Sequence, residues 1–136
     1  MKRVFLGGTC AGSTWRNRMM IYLHDAGLEY FNPVVDYWNE EAQANELIER
    51  ELCDFCLYTI TPKISEYYSI AEVVDDSNKR PDRTVLVLLK SDDGWNFFDE
   101  KWKSLEAVAL LVKKNGAQVF GDLKSAAVAM GRQAKG

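Results

Sequence analysis

Thr84-Val85-Leu86-Val87-Leu88-Leu89 is the longest uninterrupted aliphatic run in the chain, and it does not alternate between apolar and polar positions. A strand with one wet face alternates, so this run suits a central parallel strand buried on both faces. Such a strand needs helices above and below it, and the surrounding sequence supplies them. Val4-Phe5-Leu6 closes into Gly7-Gly8-Thr9, the pattern of a buried strand ending in a tight polar turn. The turn continues as Cys10-Ala11-Gly12-Ser13-Thr14, where Ser13 or Thr14 can cap a helix from Trp15 to about Asp25. Met19, Met20 and Leu23 form the apolar side of that helix, and Gly27 is its stop.

A second strand falls at Glu29-Tyr30-Phe31, before Asn32-Pro33-Val34-Val35-Asp36, where Pro33 ends any ladder. Glu40 to Leu52 reads as an acidic helix with Leu47, Ile48 and Leu52 turned inward and the carboxylates mostly outward on a solvated face. Phe55-Cys56-Leu57-Tyr58-Thr59-Ile60 is the third strand, stopped by Thr61-Pro62, and Ser65 offers an N-cap for a helix running through Tyr67 to Asp75. After the aliphatic run come a turn-rich insertion, Ser91 to Asn96, and then Phe97, Phe98 and Trp102, which read with Trp95 as exposed cover for the sheet edge or an interface. Leu105 to Lys114 is a helix with Leu105, Val108, Ala109 and Val112 on one side, followed by a short strand, Gln118-Val119-Phe120, and a last helix, Asp122 to Gln133. Strand and helix alternate five times with no internal repeat, which predicts a parallel sheet covered on both faces, in one domain spanning residues 1–136.

At 136 residues the chain is long enough for one domain with its own core and too short for two ordinary ones. Its net charge of -3 carries no basic surplus for a nucleic acid polymer or an anionic membrane. No window approaches the roughly 20 apolar residues of a membrane helix, and the apolar run after Met1 meets Gly7-Gly8 too soon for a signal peptide. The three cysteines, Cys10, Cys53 and Cys56, are odd in number, which argues against a complete disulfide framework and for a reducing, cytoplasmic setting. Cys53-Asp54-Phe55-Cys56 has C-x-x-C spacing but no second Cys or His pair to complete a metal site, so both thiols read as core residues.

The loop Gly7-Gly8-Thr9-Cys10-Ala11-Gly12 is not a G-x-G-x-x-G fingerprint, because Thr9 stands where its second glycine belongs. It offers backbone N–H groups at a strand's carboxyl end for a sugar or phosphate, or its glycines serve only the turn. His24, the only histidine, sits late in the first helix and away from the loops, which leaves a histidine-based triad without a base. No set of His, Cys and carboxylates has metal-ligand spacing, and no cofactor motif is present. Acid, base and nucleophile are therefore sought among carboxylates at predicted strand ends: Asp36, Glu66 and Glu72. Asp54 lies at the foot of the third strand, on the wrong edge, and Asp75 and Asp76 are expected to face solvent. Glu72 stands out as a carboxylate in an otherwise apolar helical segment, with Ser69 one turn before it, near a strand's carboxyl end where open α/β sheets bind ligands. Ser69 could equally be a helix-start hydroxyl satisfied by backbone.

Four stretches together carry a specific likeness. Val4-Phe5-Leu6-Gly7-Gly8-Thr9-Cys10 with Trp15-Arg16, Tyr30-Phe31-Asn32-Pro33-Val34-Val35-Asp36, Cys53 to Pro62, and Tyr68-Ser69-Ile70-Ala71-Glu72-Val73-Val74 resemble the nucleoside 2-deoxyribosyltransferase-like family, in a small divergent branch. The resemblance extends to about Phe120. It implies a flavodoxin-like α/β three-layer sandwich with a five-stranded parallel sheet, and transfer of 2-deoxyribose between nucleobases through a covalent glycosyl ester, without metal or cofactor. The ligand it implies is a small nucleoside or nucleotide, and the assembly a homo-oligomer in which a neighbouring subunit contributes to the site.

Residue by residue, the resemblance makes Glu72 the nucleophile and Glu66, six positions earlier, the acid that assists at the base. Gly7, Gly8 and Trp15 would cover sugar and base, and Asp36 would hold the nucleobase edge. Tyr68 lies beside the nucleophile, while Ser69 would orient Glu72 or, like Arg16, bind a 5'-phosphate. Two departures stand out. The family's G-x-x-x-E-x-G/A setting is here Tyr68-Ser69-Ile70-Ala71-Glu72-Val73-Val74, and the acid its second helix supplies to the deoxyribose hydroxyl has no direct counterpart, Asn45 and Glu46 lying nearest. A pocket that binds a nucleotide without turnover is the alternative these departures suggest.

Overall fold

Val4, Phe5 and Leu6 form the fully buried middle of β1 (Arg3–Gly8) in the computed structural model, which describes every residue except Ala11. The chain continues through α1 (Trp15–Asp25), β2 (Glu29–Phe31), α2 (Glu40–Leu52), β3 (Phe55–Ile60), α3 (Tyr68–Lys79), a 3-10 turn at Pro81–Arg83 and β4 (Thr84–Leu88). A hairpin of β5 (Ser91–Asp92) and β6 (Trp95–Asn96) precedes α4 (Asp99–Lys114), β7 (Gln118–Phe120) and α5 (Leu123–Lys135). The main sheet has five strands in the order β2-β1-β3-β4-β7, every pair parallel. This is the flavodoxin-like α/β arrangement expected, and β3 and β4 are buried along their whole lengths.

Alternate residues of the central strands feed two cores. Val4, Leu6, Leu57, Val85 and Val87 pack with Trp15, Met19 and Leu23 of α1 and Ala126, Ala127 and Met130 of α5. Phe5, Tyr58, Ile60, Leu86 and Leu88 pack on the other face with Val73 of α3 and Val112 of α4. Side chains of a strand point alternately to its two faces, so an unbroken aliphatic run serves both layers at once.

Several local expectations need correction. Ser65 does not cap α3: the helix opens at Tyr68, its N-cap position is Tyr67, and no side chain bonds the free N–H groups there. The cap of α1 falls on Thr14 without a side-chain bond, although Ser13 Oγ accepts from Trp15 N at 3.4 Å. Helix α4 begins at Asp99, well before Leu105, because its first turns are polar and carry no apolar period to read. Phe97 is buried, at 5% exposure, and stacks near Trp102, while Trp95 and Phe98 are exposed.

The largest corrections concern α2 and α3. Leu47, Ile48 and Leu52 are exposed at 48%, 53% and 72%, and the inward side of α2 carries Arg50 instead. Asp76, expected in solvent, is fully buried. The two reversals are linked, because a buried aspartate requires a cation and Arg50 is the one that α2 brings.

Candidate functional site

The buried face of α3 is Ser69, Glu72, Val73, Asp76 and Ser77, a helical spacing that would normally be apolar. Four of those five residues are polar. Asp76 is satisfied completely: Arg50 Nη2 donates to it at 2.9 Å, Arg80 Nε lies at 3.3 Å, and the Tyr58 hydroxyl of β3 donates to its other oxygen. Arg50 also reaches Asp75 at 3.3 Å, and its backbone carbonyl accepts from Arg80 and Cys56. Burial acts to lower the Arg50 pKa, but the surrounding Asp76, Tyr58 and Glu72 overcome it and hold the guanidinium charged.

Glu72 occupies the next turn toward the carboxyl edge and is 6% exposed. Arg50 Nη1 approaches its Oε2 only to 3.6 Å, too far for a hydrogen bond, and that oxygen has no other partner. Burial raises its carboxyl to about 8, the Glu46 carboxyl of α2 adds to the rise, and Arg50 opposes it. The carboxyl therefore carries its proton at neutral pH. Ser69 Oγ, one turn earlier, is likewise buried and unpartnered. A buried donor or acceptor left without a partner costs about 1–3 kcal/mol, and such groups collect where a ligand completes the hydrogen bonding.

The glycine loop stands over the same edge. Gly7 pairs with Tyr58 and Gly8 with Thr59, and a Cβ on Gly8, whose φ is +114°, would stand 2.1 Å from the Thr59 carbonyl oxygen. Glycine is thus required for strand closeness there, which settles the turn role without excluding approach by a ligand. Trp15 and Arg16 fix the loop from α1. Trp15 is fully buried and its Nε1 donates to the Thr9 carbonyl at 2.7 Å. The Arg16 guanidinium donates to the Thr9 carbonyl at 2.6 Å and to that of Leu6 at 3.0 and 3.1 Å. Its donors are therefore committed to carbonyls of β1 and of Thr9 just after it. Burial chiefly raises the Cys10 thiol, with Arg16 opposing and the charges of Glu66 and Glu46 adding to the rise.

Glu72 and Ser69 thus lie on the buried face of α3's first turns and Gly7 and Gly8 at the carboxyl end of β1 beside β3, while Glu66 is half-buried in the β3–α3 loop. Tyr68 opens α3 at 54% exposure, and Asp36 is exposed on the β2–α2 connection with no bond to the others. Arg50 was missed by the sequence reading, which named Glu46 only as lying, with Asn45, nearest to the missing deoxyribose-binding acid. Their signal was present as an i, i+4 acid–base pair at the only basic position of α2. Asp54 is at the opposite edge, bonded to Arg3 N at 2.9 Å, and His24 is exposed. Among the described residues no group of three His, Cys, Asp or Glu is placed to hold a metal, and no helix is long and apolar enough to cross a membrane.

A family model described as nucleoside 2-deoxyribosyltransferase like matches residues 1–91. The chain belongs to that family. No curated protein matches it significantly. The matched region runs from β1 to the start of the hairpin, so every residue of the mouth comes from the part held in common with the nucleoside 2-deoxyribosyltransferase-like family, while α4, β7 and α5 lie beyond it. A cavity of about 1050 Å³ lies elsewhere, between α3 and α4 beside the hairpin, with Ile70, Val74, Leu105 and Val108 on its walls, and Glu72 does not line it.

Proposed function

We propose that the protein cleaves or exchanges the N-glycosidic bond of a 2'-deoxynucleoside or its 5'-monophosphate, with Glu72 as nucleophile. The observation that carries the reading is a buried carboxyl on the first turns of α3 whose Oε2 has no hydrogen-bond partner and which the Glu46 carboxyl of α2 helps to keep protonated. Membership of the family supports the reaction class.

The chemistry follows from the shared proton. Glu72 holds a proton at rest, and Glu46 is the adjacent carboxyl that can take it. The ionised Glu72 oxygen attacks the anomeric carbon as the C–N bond breaks, and the departing base takes up the proton, with Glu66 at the rim assisting. The oxocarbenium-like state is stabilised by the carboxylate beneath it. The resulting ester is released by a second base, giving exchange, or by water, giving free sugar and restoring the Glu72 proton. Glu72 is buried against α2, whose ties to the body include the Arg50 contacts and an Arg3–Glu49 pair at 3.2 Å, so admission of substrate requires α2 to yield.

Incubation with a deoxynucleoside, with and without a second free base, tests the reading: exchanged nucleoside marks a transferase and free deoxyribose alone a hydrolase. Glu72→Gln is expected to reduce either by on the order of 10³-fold or more. Full activity in that variant would remove Glu72 from the mechanism. Since one proton must reach the leaving base, kcat/KM is expected to be level near neutrality and to fall above about pH 8, where the Glu72 carboxyl loses its proton.

A second reading is a nucleotide-binding module without turnover. It is favoured by the closure of Glu72 against Arg50 with the large cavity on the far side of α3. A nucleotide that raises the melting temperature over hours without product would support it over the first.

A further inference from the structure

Arg50 lies buried between α2 and α3, and its guanidinium is shared unequally. Nε and Nη2, the two nitrogens on one side of the fork, both face the Asp76 carboxylate, at 3.4 and 2.9 Å, and Nη2 also reaches Asp75 at 3.3 Å. Nη1 is left over. Among the described residues it makes no hydrogen bond, and it stands 3.6 Å from Glu72 Oε2, a buried oxygen that has no hydrogen-bond partner either. The gap between that donor and that acceptor is about 0.8 Å longer than the ~2.8 Å of a charge-assisted hydrogen bond. Holding Asp76 does not require Nη1, since the aspartate already has the Tyr58 hydroxyl and Arg80 Nε besides the other two nitrogens of Arg50.

The charges around Glu72 decide when the gap closes. From α2 it faces Glu46 and Arg50, from β3 Tyr58, and along α3 itself Asp75 and Asp76, with Arg80 paired to Asp76. While Glu72 keeps its proton, it has no charge to draw Nη1 toward it. Once it ionises, a carboxylate without a hydrogen bond would be buried among acids, and Nη1 is the donor that reaches it by a side-chain shift alone. We propose that Arg50 is a positioning residue for Glu72: anchored on Asp76 through Nε and Nη2, it closes Nη1 onto Oε2 whenever Glu72 is a carboxylate. This role rests on Glu72 being the nucleophile. The carboxylate then appears twice, before attack on the sugar and again when the glycosyl ester breaks and the C–O electron pair returns to Glu72. With Oε2 held, Oε1 is the oxygen left to the sugar. A lysine has one ammonium and no fork, so it cannot hold Asp76 and Glu72 together in this way.

Titration of Glu72 without substrate keeps this role separate from the glycosyl chemistry, which the activity of Glu72→Gln decides. In protein labelled with 13C at the glutamate Cδ, the Glu72 signal is the one missing from Glu72→Gln, and its midpoint is expected at about 8. Asp76→Asn keeps an acceptor oxygen and frees Arg50 for Glu72, and is expected to lower that midpoint by about one unit or more. Adding Arg50→Gln to Asp76→Asn is expected to raise it again by about one unit or more, whereas an arginine that served only Asp76 would leave it in place. The double variant removes both charges of the pair, and a cooperative circular dichroism melt confirms that it folds. Crystals held at about pH 6 and about pH 9.5 are expected to show Nη1–Oε2 shortening from 3.6 Å to about 2.8 Å. A midpoint in the Asp76→Asn protein that Arg50→Gln does not move, or a separation that stays near 3.6 Å at the higher pH, would overturn the proposal.

Discussion

Glu72 is the residue on which burial and function conflict. Its carboxyl is held up to about 8, against about 4.5 in an unfolded chain, so between those values the folded state binds a proton that the unfolded state has released. Stability contributed by that proton is complete below about pH 4.5 and is lost progressively as pH rises toward 8. Glu72→Gln, which mimics the protonated form, is expected to stabilise the protein by about 1–3 kcal/mol at pH 7 and to make no difference near pH 4, measured by urea unfolding at both values. An equal effect at both would mean that the carboxyl titrates normally. Asp76 has the opposite character, being completely buried and completely paired. Asp76→Ala leaves Arg50 and Arg80 without their shared acceptor, and a loss of about 3–5 kcal/mol is expected by the same method. A loss below about 1 kcal/mol would show that the network is not buried as described.

At the scale of elements, those with a strict local pattern were readable from the sequence and those set by a distant partner were not. The aliphatic run of β4 and the strand-loop-helix order follow from backbone hydrogen bonding and burial within a few residues. Helix α2 has leucine and isoleucine at ordinary inward spacing, yet it is turned about its axis because Asp76, on another helix, demands Arg50. No property of residues 40–52 alone contains that demand. The same limit hid the pairing of Glu46 with Glu72, while Glu72 itself was legible as a carboxylate out of place in an apolar segment. Capping behaved similarly: the N-caps of α2 and α5 are side chains, Asn39 accepting from Ala42 N at 2.8 Å and Asp122 from Ser125 N at 2.7 Å. The Ser125 bonds hold the Asp122 carboxyl below its usual range, so its stabilisation is present above the unfolded pKa and is lost as pH falls through the folded one. Asp122→Ala is expected to cost about 1 kcal/mol at pH 7 and less in acid, read from the melting curve at each pH.

For the whole molecule, the matched family region contains the glycine end of β1, the buried Glu72 carboxyl with Glu46 near it, and the helix α2 that carries Arg50 inward. Arg50 closes the α2–α3 seam and approaches the Glu72 carboxyl without bonding it. The account stands on Glu72 forming a bond to sugar. The most direct measurement is mass spectrometry of the peptide that contains Glu72 after acid quenching of the protein with a 2'-deoxynucleoside. A deoxyribosyl adduct on Glu72, absent from the Glu72→Gln protein, is the predicted result; turnover with the adduct on another residue, or undiminished turnover in Glu72→Gln, would contradict it.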